Sequence, residues 1–271
     1  MTIAVVIGFW LVPAAVGHSQ VSPNQPPPGE RDVTFFNVAE LSYDQASVPS
    51  LVGSQPADPK EWPATFYAMS TTGACTSTLV GATVLLTAAH CVPKDSEITI
   101  SKSGKKYKAT CTHESDFPSI NITADWALCL LTTGEITGIA YERINSDPSK
   151  LRIFQQIMLT GFGYAANGGN DGVFRTGETN IVALPAGTIN YIVTKGPAVV
   201  SYGDSGGAAY IVSAGNTKDR LQVSVNSQGT HQDESLLAST STDKALSFFR
   251  RWADDHTVRI CGLHEDAKGC R

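Results

Sequence analysis

From Trp62 to Val225 the sequence is a succession of short runs rich in Val, Ile, Thr, Tyr and Phe, each closed by Gly, Asn, Asp or Ser, and that punctuation admits short strands and little else. The runs fall at 64–69, 83–87, 98–101, 107–110, 126–131, 157–161, 189–193, 208–212 and 221–225. Helical spacing extends over one long segment, about Asp243 to His256, where Ala245, Leu246, Phe249, Trp252 and Ala253 share a face. Ser239-Thr240-Ser241-Thr242 just before it offers several N-caps. The expected fold class is therefore all-β with a C-terminal α-helix. With 271 residues, 42% hydrophobic and 17% charged, the chain can bury one large all-β domain or two small ones. Ala166-Asn167-Gly168-Gly169-Asn170-Asp171-Gly172 holds too many glycines to sustain a strand and is expected as an exposed loop.

The region before Trp62 has a different character. Ile3 to Val12 is an apolar run closed by Pro13 and followed by Ala15-Val16-Gly17, a pattern that fits a signal peptide over 1–17. The run is too short to span a bilayer, and the competing reading is a buried hydrophobic N-terminal segment. Residues 18–50 are polar and rich in proline, as in Pro26-Pro27-Pro28-Gly29, and read as a propeptide rather than as part of a packed core. The formal charge of -5, with no run of Lys or Arg, argues against nucleic acid as a partner and against attraction to anionic lipid. Six cysteines, at 75, 91, 111, 129, 261 and 270, are an even set of the kind an oxidising compartment favours. They allow about fifteen pairings, of which sequential pairing is the simplest. Zinc binding is disfavoured because His90-Cys91 lacks a C-x-x-C partner pair.

Three segments carry chemistry. Gly203-Asp204-Ser205-Gly206-Gly207 flanks a serine with glycines, which permits a tight turn and an accessible hydroxyl. The N–H groups of Gly203 and Ser205 could then converge on a developing oxyanion. Leu85-Leu86-Thr87-Ala88-Ala89-His90-Cys91 ends an apolar strand with a histidine, the natural base for a hydroxyl at neutral pH. Thr123-Ala124-Asp125-Trp126-Ala127-Leu128 places an acid immediately before a hydrophobic strand, where burial would let it orient the imidazole. Asp116 competes for that role, but no apolar strand follows it.

Together these motifs resemble the chymotrypsin-like, trypsin-fold serine peptidases over residues 51–271, with the order His90, Asp125, Ser205. Thr76-Ser77-Thr78-Leu79-Val80-Gly81 ahead of the histidine is similar to the bacterial or otherwise compact members. The resemblance implies two six-stranded antiparallel barrels, about 51–138 and 153–242, with the helix, about 243–256, against the second and a tail over 257–271. It implies a Cys75–Cys91 bridge and catalysis without metal or organic cofactor. It also implies a mature amino terminus at Leu51-Val52-Gly53-Ser54, exposed by cleavage after Ser50, whose α-ammonium pairs with Asp204. The plainer reading of Leu51-Val52-Gly53 is an ordinary first strand.

By the same alignment Val199 stands at the floor of the substrate pocket, near Val200 and Tyr202, and Ser201 replaces a framing cysteine. Ser224-Val225-Asn226 is similar to the family's Ser-Trp-Gly strand, with Asn226 in place of glycine. That pocket would prefer small or medium uncharged P1 residues. The expected partners are a protein or peptide substrate and a proteinaceous inhibitor, for a secreted monomer without a stable membrane anchor. Two rival readings are a binding protein that has lost catalysis and a small-ester hydrolase. The second is opposed by the Ser, Asp, His order of α/β-hydrolases. Asn121-Ile122-Thr123 is a glycosylation sequon, and the segment Cys261 to Cys270 reads as a disulfide-closed loop.

Overall fold

The computed structural model describes residues 51, 53–92, 96–163, 172–213, 216–230 and 233–271. The signal and propeptide expectations, and most of the glycine-rich loop at 166–172, lie outside the described residues. A two-residue strand β1 (Gln55–Pro56) precedes a first group of strands, β2 (Thr65–Ser70), β3 (Gly73–Gly81), β4 (Val84–Thr87), β5 (Glu97–Lys102), β6 (Lys105–His113) and β7 (Ala127–Leu131). These six close into a barrel in the order β2-β3-β4-β7-β6-β5, every pairing antiparallel. The second group is β8 (Gln156–Gly161), β9 (Arg175–Ala183), β10 (Tyr191–Lys195), β11 (Ala208–Ser213), β12 (Asn216–Gly229) and β13 (Glu234–Ser239). Its order is β9-β10-β13-β12-β11-β8, and β8 pairs back to β9 to complete the ring. Closure removes exposed strand edges, which is how an all-β chain of this length avoids edge-to-edge pairing.

Although Leu51 to Pro56 come first in the chain, they belong with the second barrel. β1 pairs with β9, and Leu51 packs in the core with Leu151, Ile157, Leu159, Ile181, Ile192 and Val200. The cysteines pair sequentially, Cys75–Cys91, Cys111–Cys129 and Cys261–Cys270. Cys111 and Cys129 face one another directly across β6 and β7.

Helix α1 (Asp243–Asp255) is capped by Thr242, whose hydroxyl accepts from the amide of Ala245. It buries Ala245, Leu246, Phe248, Phe249, Trp252 and Ala253. The sequence reading set this helix against the second barrel, but its side-chain contacts reach the first. Phe249 meets Trp126 edge-on at 6.1 Å, Lys244 pairs with Asp116 at 2.5 Å, and Arg251 pairs with Glu114 at 3.0 Å. Trp126 follows Asp125 directly, so the helix steadies the segment that presents the acid.

The disulfide-closed tail, left without a purpose by the sequence, clips the connector between the barrels. Cys261 N–H donates to Val80 O at 2.8 Å, Ile144 N–H to Cys261 O at 2.9 Å, and Tyr141 N–H to Gly269 O at 2.8 Å. Within that connector Glu142 is fully buried and forked by the Arg220 guanidinium of β12, with Arg271 Nε 3.3 Å away. Arg220 in turn lies 3.8 Å over the Trp62 ring and donates to Glu61 O, so the buried charges are satisfied rather than stranded.

Candidate active site

His90 sits in a single 3-10 turn, Ala89–Cys91, at the end of β4, anchored by the Cys75–Cys91 bridge. Its Nδ1 lies 2.7 Å from Asp125 Oδ2, while its backbone N–H donates to Asp125 Oδ1 at 2.9 Å. Asp125 is 1% exposed. Burial works to raise its pKa, but the charge of His90, hydrogen bonds from His90 and Ser227, and the His90 backbone bond outweigh it and hold the carboxyl below its usual range. For His90 burial works to lower the pKa, and the charge and hydrogen bond of Asp125 more than reverse this, raising it above the ordinary 6.5. Asp116 does not share this site; it is half-exposed and held by Lys244.

The serine comes from the other barrel, on the turn between β10 and β11. Gly203 and Gly206 both have positive φ, 86° and 81°. A Cβ on Gly206 would stand 2.1 Å from Thr87 Oγ1 and 2.2 Å from Thr76 O, so the turn can press against the first barrel only without one. Thr76 of β3 grips the same turn: its amide donates to Ser205 O at 2.8 Å and its hydroxyl to Gly203 O at 2.8 Å. The amides of Asp204, Gly206 and Gly207 are all engaged, on Ser201 O, Asn226 O and Asp204 O. Among the described residues those of Gly203 and Ser205 donate to nothing. Ser205 as a residue is only partly buried.

Behind this turn Asp204 is wholly buried. Its carboxylate accepts from the amides of Gly163 at 2.9 Å, Ser201 at 3.0 Å and Leu51 at 3.3 Å. Gly161 and Gly163 leave room for it, since a Cβ at either would fall 2.2 or 2.5 Å from Asp204 Oδ1. Burial pushes the carboxyl up to about 7, against the opposing pull of the Ser201, Gly163 and Leu51 amides and the charge of Arg175.

Sequence reasoning missed Ser227. Its hydroxyl donates to Asp125 Oδ2 at 2.5 Å and meets the Tyr191 hydroxyl at 3.0 Å. It is aimed by a bulge: Asn226 pairs with Leu237 and Gln228 with Leu236, leaving Ser227 as the extra residue on β12. Burial on the same strand corrects the expected pocket wall. Ser224, Val225 and Asn226 are completely buried. Asn226 Nδ2 donates to Thr160 O at 3.0 Å and Asp204 O at 3.3 Å, so this side chain supports the serine turn from within and narrows no pocket. The Ser-x-Gly stretch of the strand is Ser227-Gln228-Gly229. Gly229 adjoins Val199, whose Cγ1 would lie 3.3 Å from a Cβ placed there. Val200 is turned into the core, and Tyr202 is partly buried.

Two closed antiparallel barrels with histidine, aspartate and serine contributed in that order match a known sequence family. The model of the trypsin family aligns with residues 51–241. The chain belongs to the trypsin family. It is accordingly a serine-type endopeptidase, a hydrolase of peptide bonds in proteins or peptides. No curated protein matches this trypsin-family chain. Among the described residues no helix is long and apolar enough to cross a membrane.

Proposed function

We propose that this endopeptidase works through a triad of Ser205, His90 and Asp125. Ser205 Oγ attacks the substrate carbonyl carbon as His90 Nε2 takes its proton. The oxyanion so formed accepts hydrogen bonds from the Gly203 and Ser205 amides, after which the C–N bond breaks and the leaving amine receives the proton from His90. Water activated by the same imidazole then hydrolyses the acyl-enzyme. The observation that carries this reading is the pair of unengaged amides flanking Asp204 in a turn whose Asp204, Gly206 and Gly207 amides are used, packed at Gly206 against Thr87 and Ala88, just ahead of the His90 that pairs with Asp125.

The chain further reads as a secreted zymogen, with a signal peptide over 1–17, a propeptide over 18–50 and cleavage after Ser50. Supporting this, Leu51 N already lies 3.3 Å from the buried Asp204 carboxylate. Cleavage would turn that amide into an ammonium with no need for the chain to move far. Three disulfides and the short apolar leader accord with export. At the substrate pocket the apolar Val199 favours an uncharged P1 residue, and Ser50 itself fits that preference. The restriction to small and medium side chains rested on Asn226 and lapses with it, because Asn226 is buried under the serine turn. The assigned substrate-contacting residues are therefore Val199, Tyr202, Gln228 and Gly229.

The test is fluorophosphonate labelling of secreted protein, read by intact mass, with Ser205→Ala as control. One adduct, on Ser205 of a form beginning at Leu51, is the expected result. A form beginning at Leu51 that takes no label would identify a homologue that has lost catalysis. Matched P1 substrates should then turn over faster with Ala, Val or Leu than with Arg, and the reverse order would refute the pocket assignment.

A further inference from the structure

The hydrogen-bond chain behind Asp125 does not end at Ser227. Tyr191 opens β10 in the second barrel, and its hydroxyl lies 3.0 Å from Ser227 Oγ and 3.1 Å from Ile122 O in the first. Three contacts therefore share two hydroxyl hydrogens. The Ser227 hydrogen is committed to the Asp125 carboxylate at 2.5 Å, an acceptor that cannot give one back. The Tyr191 hydrogen must then serve Ser227 Oγ, with the Ile122 carbonyl as a second acceptor.

The residues around Tyr191 fix where that phenol sits. Asn190 donates from both its amide and its side chain to Thr123 Oγ1, at 2.9 and 3.1 Å. Asn121 Nδ2 donates to Thr188 O at 2.9 Å, and Asn121 Oδ1 accepts from Thr123. The Asn121-Ile122-Thr123 stretch that reads as a sequon is thus a clasp, two residues ahead of the triad acid, tying the first barrel to the entry of β10.

Resting on the triad reading above, we propose that Tyr191 is a positioning residue of this enzyme: its phenol donates to Ser227, and through Ser227 it orients Asp125 and tunes the charge that Asp125 presents to His90. Each hydrogen bond accepted by Ser227 Oγ makes its own O–H a stronger donor. A stronger donor draws charge from the carboxylate and leaves it less able to hold a proton on His90. Weakening the Tyr191 bond should therefore raise the pH at which the imidazole becomes a base, and strengthening it should lower that pH. His90 and Asp125 each act on the other's charge, and the charge of Asp125 also acts on Tyr191.

The experiment compares three forms of the processed enzyme: wild type, Tyr191→Phe, and enzyme carrying 3,5-difluorotyrosine at position 191, a stronger donor of nearly unchanged shape. For Tyr191→Phe, kcat should fall about fivefold at unchanged KM, the loss of one ordinary hydrogen bond. The acid limb of kcat/KM should move up by about 0.3 pH unit. Difluorotyrosine should move that limb downward while keeping kcat within about twofold of wild type. An unmoved limb in both replacements, or movement in the same direction, would reduce Tyr191 to packing and overturn the proposal. Should Tyr191→Phe fail to accumulate, the difluorotyrosine enzyme decides alone by the sign of its shift. Fluorophosphonate labelling of the wild type separates the two levels: an unlabelled wild type sinks the triad, whereas a labelled wild type with an unresponsive limb sinks only the role of Tyr191.

Discussion

Asp125 and Asp204 are buried almost identically, 1% and 0% exposed, yet their carboxyls are driven in opposite directions. Burial penalises the charged form of both. Asp125 escapes because it faces an imidazole that can carry a positive charge and a hydroxyl from a bulged serine. Asp204 faces three peptide N–H groups, and these do not offset its desolvation; no cationic side chain hydrogen-bonds to its oxygens among the described residues. One pocket is furnished to keep a charge; the other leaves its carboxyl short of one. Under the zymogen reading proposed above, the missing counter-charge is the nitrogen of Leu51, 3.3 Å from that carboxylate.

The largest effect should come from unmaking the first pocket. Asp125→Asn keeps the shape but presents the wrong hydrogen-bonding partner to Nδ1, and kcat on a matched peptide substrate should fall about ten-thousandfold. A loss below about a hundredfold would mean that Asp125 does not orient the base. The second pocket should show itself in stability. With its folded pKa raised to about 7 against an ordinary 3.8, Asp204 binds more protons in the folded chain than in the unfolded one between those values. Its contribution is fully present below about pH 4 and is lost as the pH rises through about 7. Uncut Ser205→Ala precursor should therefore lose on the order of a few kcal/mol of stability across that window, read as a falling Tm. Adding Asp204→Asn should flatten the slope, and so should cleavage after Ser50, which supplies an ammonium. If the cut and uncut forms kept the same slope, Leu51 would not be the counter-charge.

Much of the first pocket was legible in the sequence, because its residues lie beside local signals. Asp125 precedes an apolar strand, His90 closes another, and Gly203 and Gly206 announce the turn around Ser205. What escaped was built from polar residues. Strand β3 holds Thr76, Ser77 and Thr78, all completely buried, and strands β9 and β13 likewise lack an alternating apolar pattern. In β3 and β13 both faces are buried, so no period-two pattern develops; β9 does alternate in burial, but two of its inward positions are Gly177 and Thr179, which carry no apolar signal. Ser227 escaped for a different reason. A bulge adds one residue to a strand without leaving a mark in composition, so nothing in the sequence showed that Ser227 would be turned toward Asp125. The C-terminal loop was visible as a loop, but its docking on the connector depends on contacts with residues more than a hundred positions away.

The smallest effect tests whether the first pocket is as heavily provisioned as it looks. Ser227→Ala removes one donor from Asp125 Oδ2 and leaves both bonds from His90 in place. The remaining partners keep the carboxylate ionised at neutral pH, so kcat/KM at pH 8 should drop only about tenfold, the scale of one charge-assisted bond. The acid limb should rise, because a carboxylate relieved of a donor holds the imidazolium proton more firmly. Asp204 has no comparable reserve, since its three donors are backbone amides that no substitution can add to. If Ser227→Ala instead matched Asp125→Asn in its loss, the two pockets would differ less than their hydrogen bonds suggest: the charge on Asp125 would hang on a single hydroxyl, despite both bonds from His90.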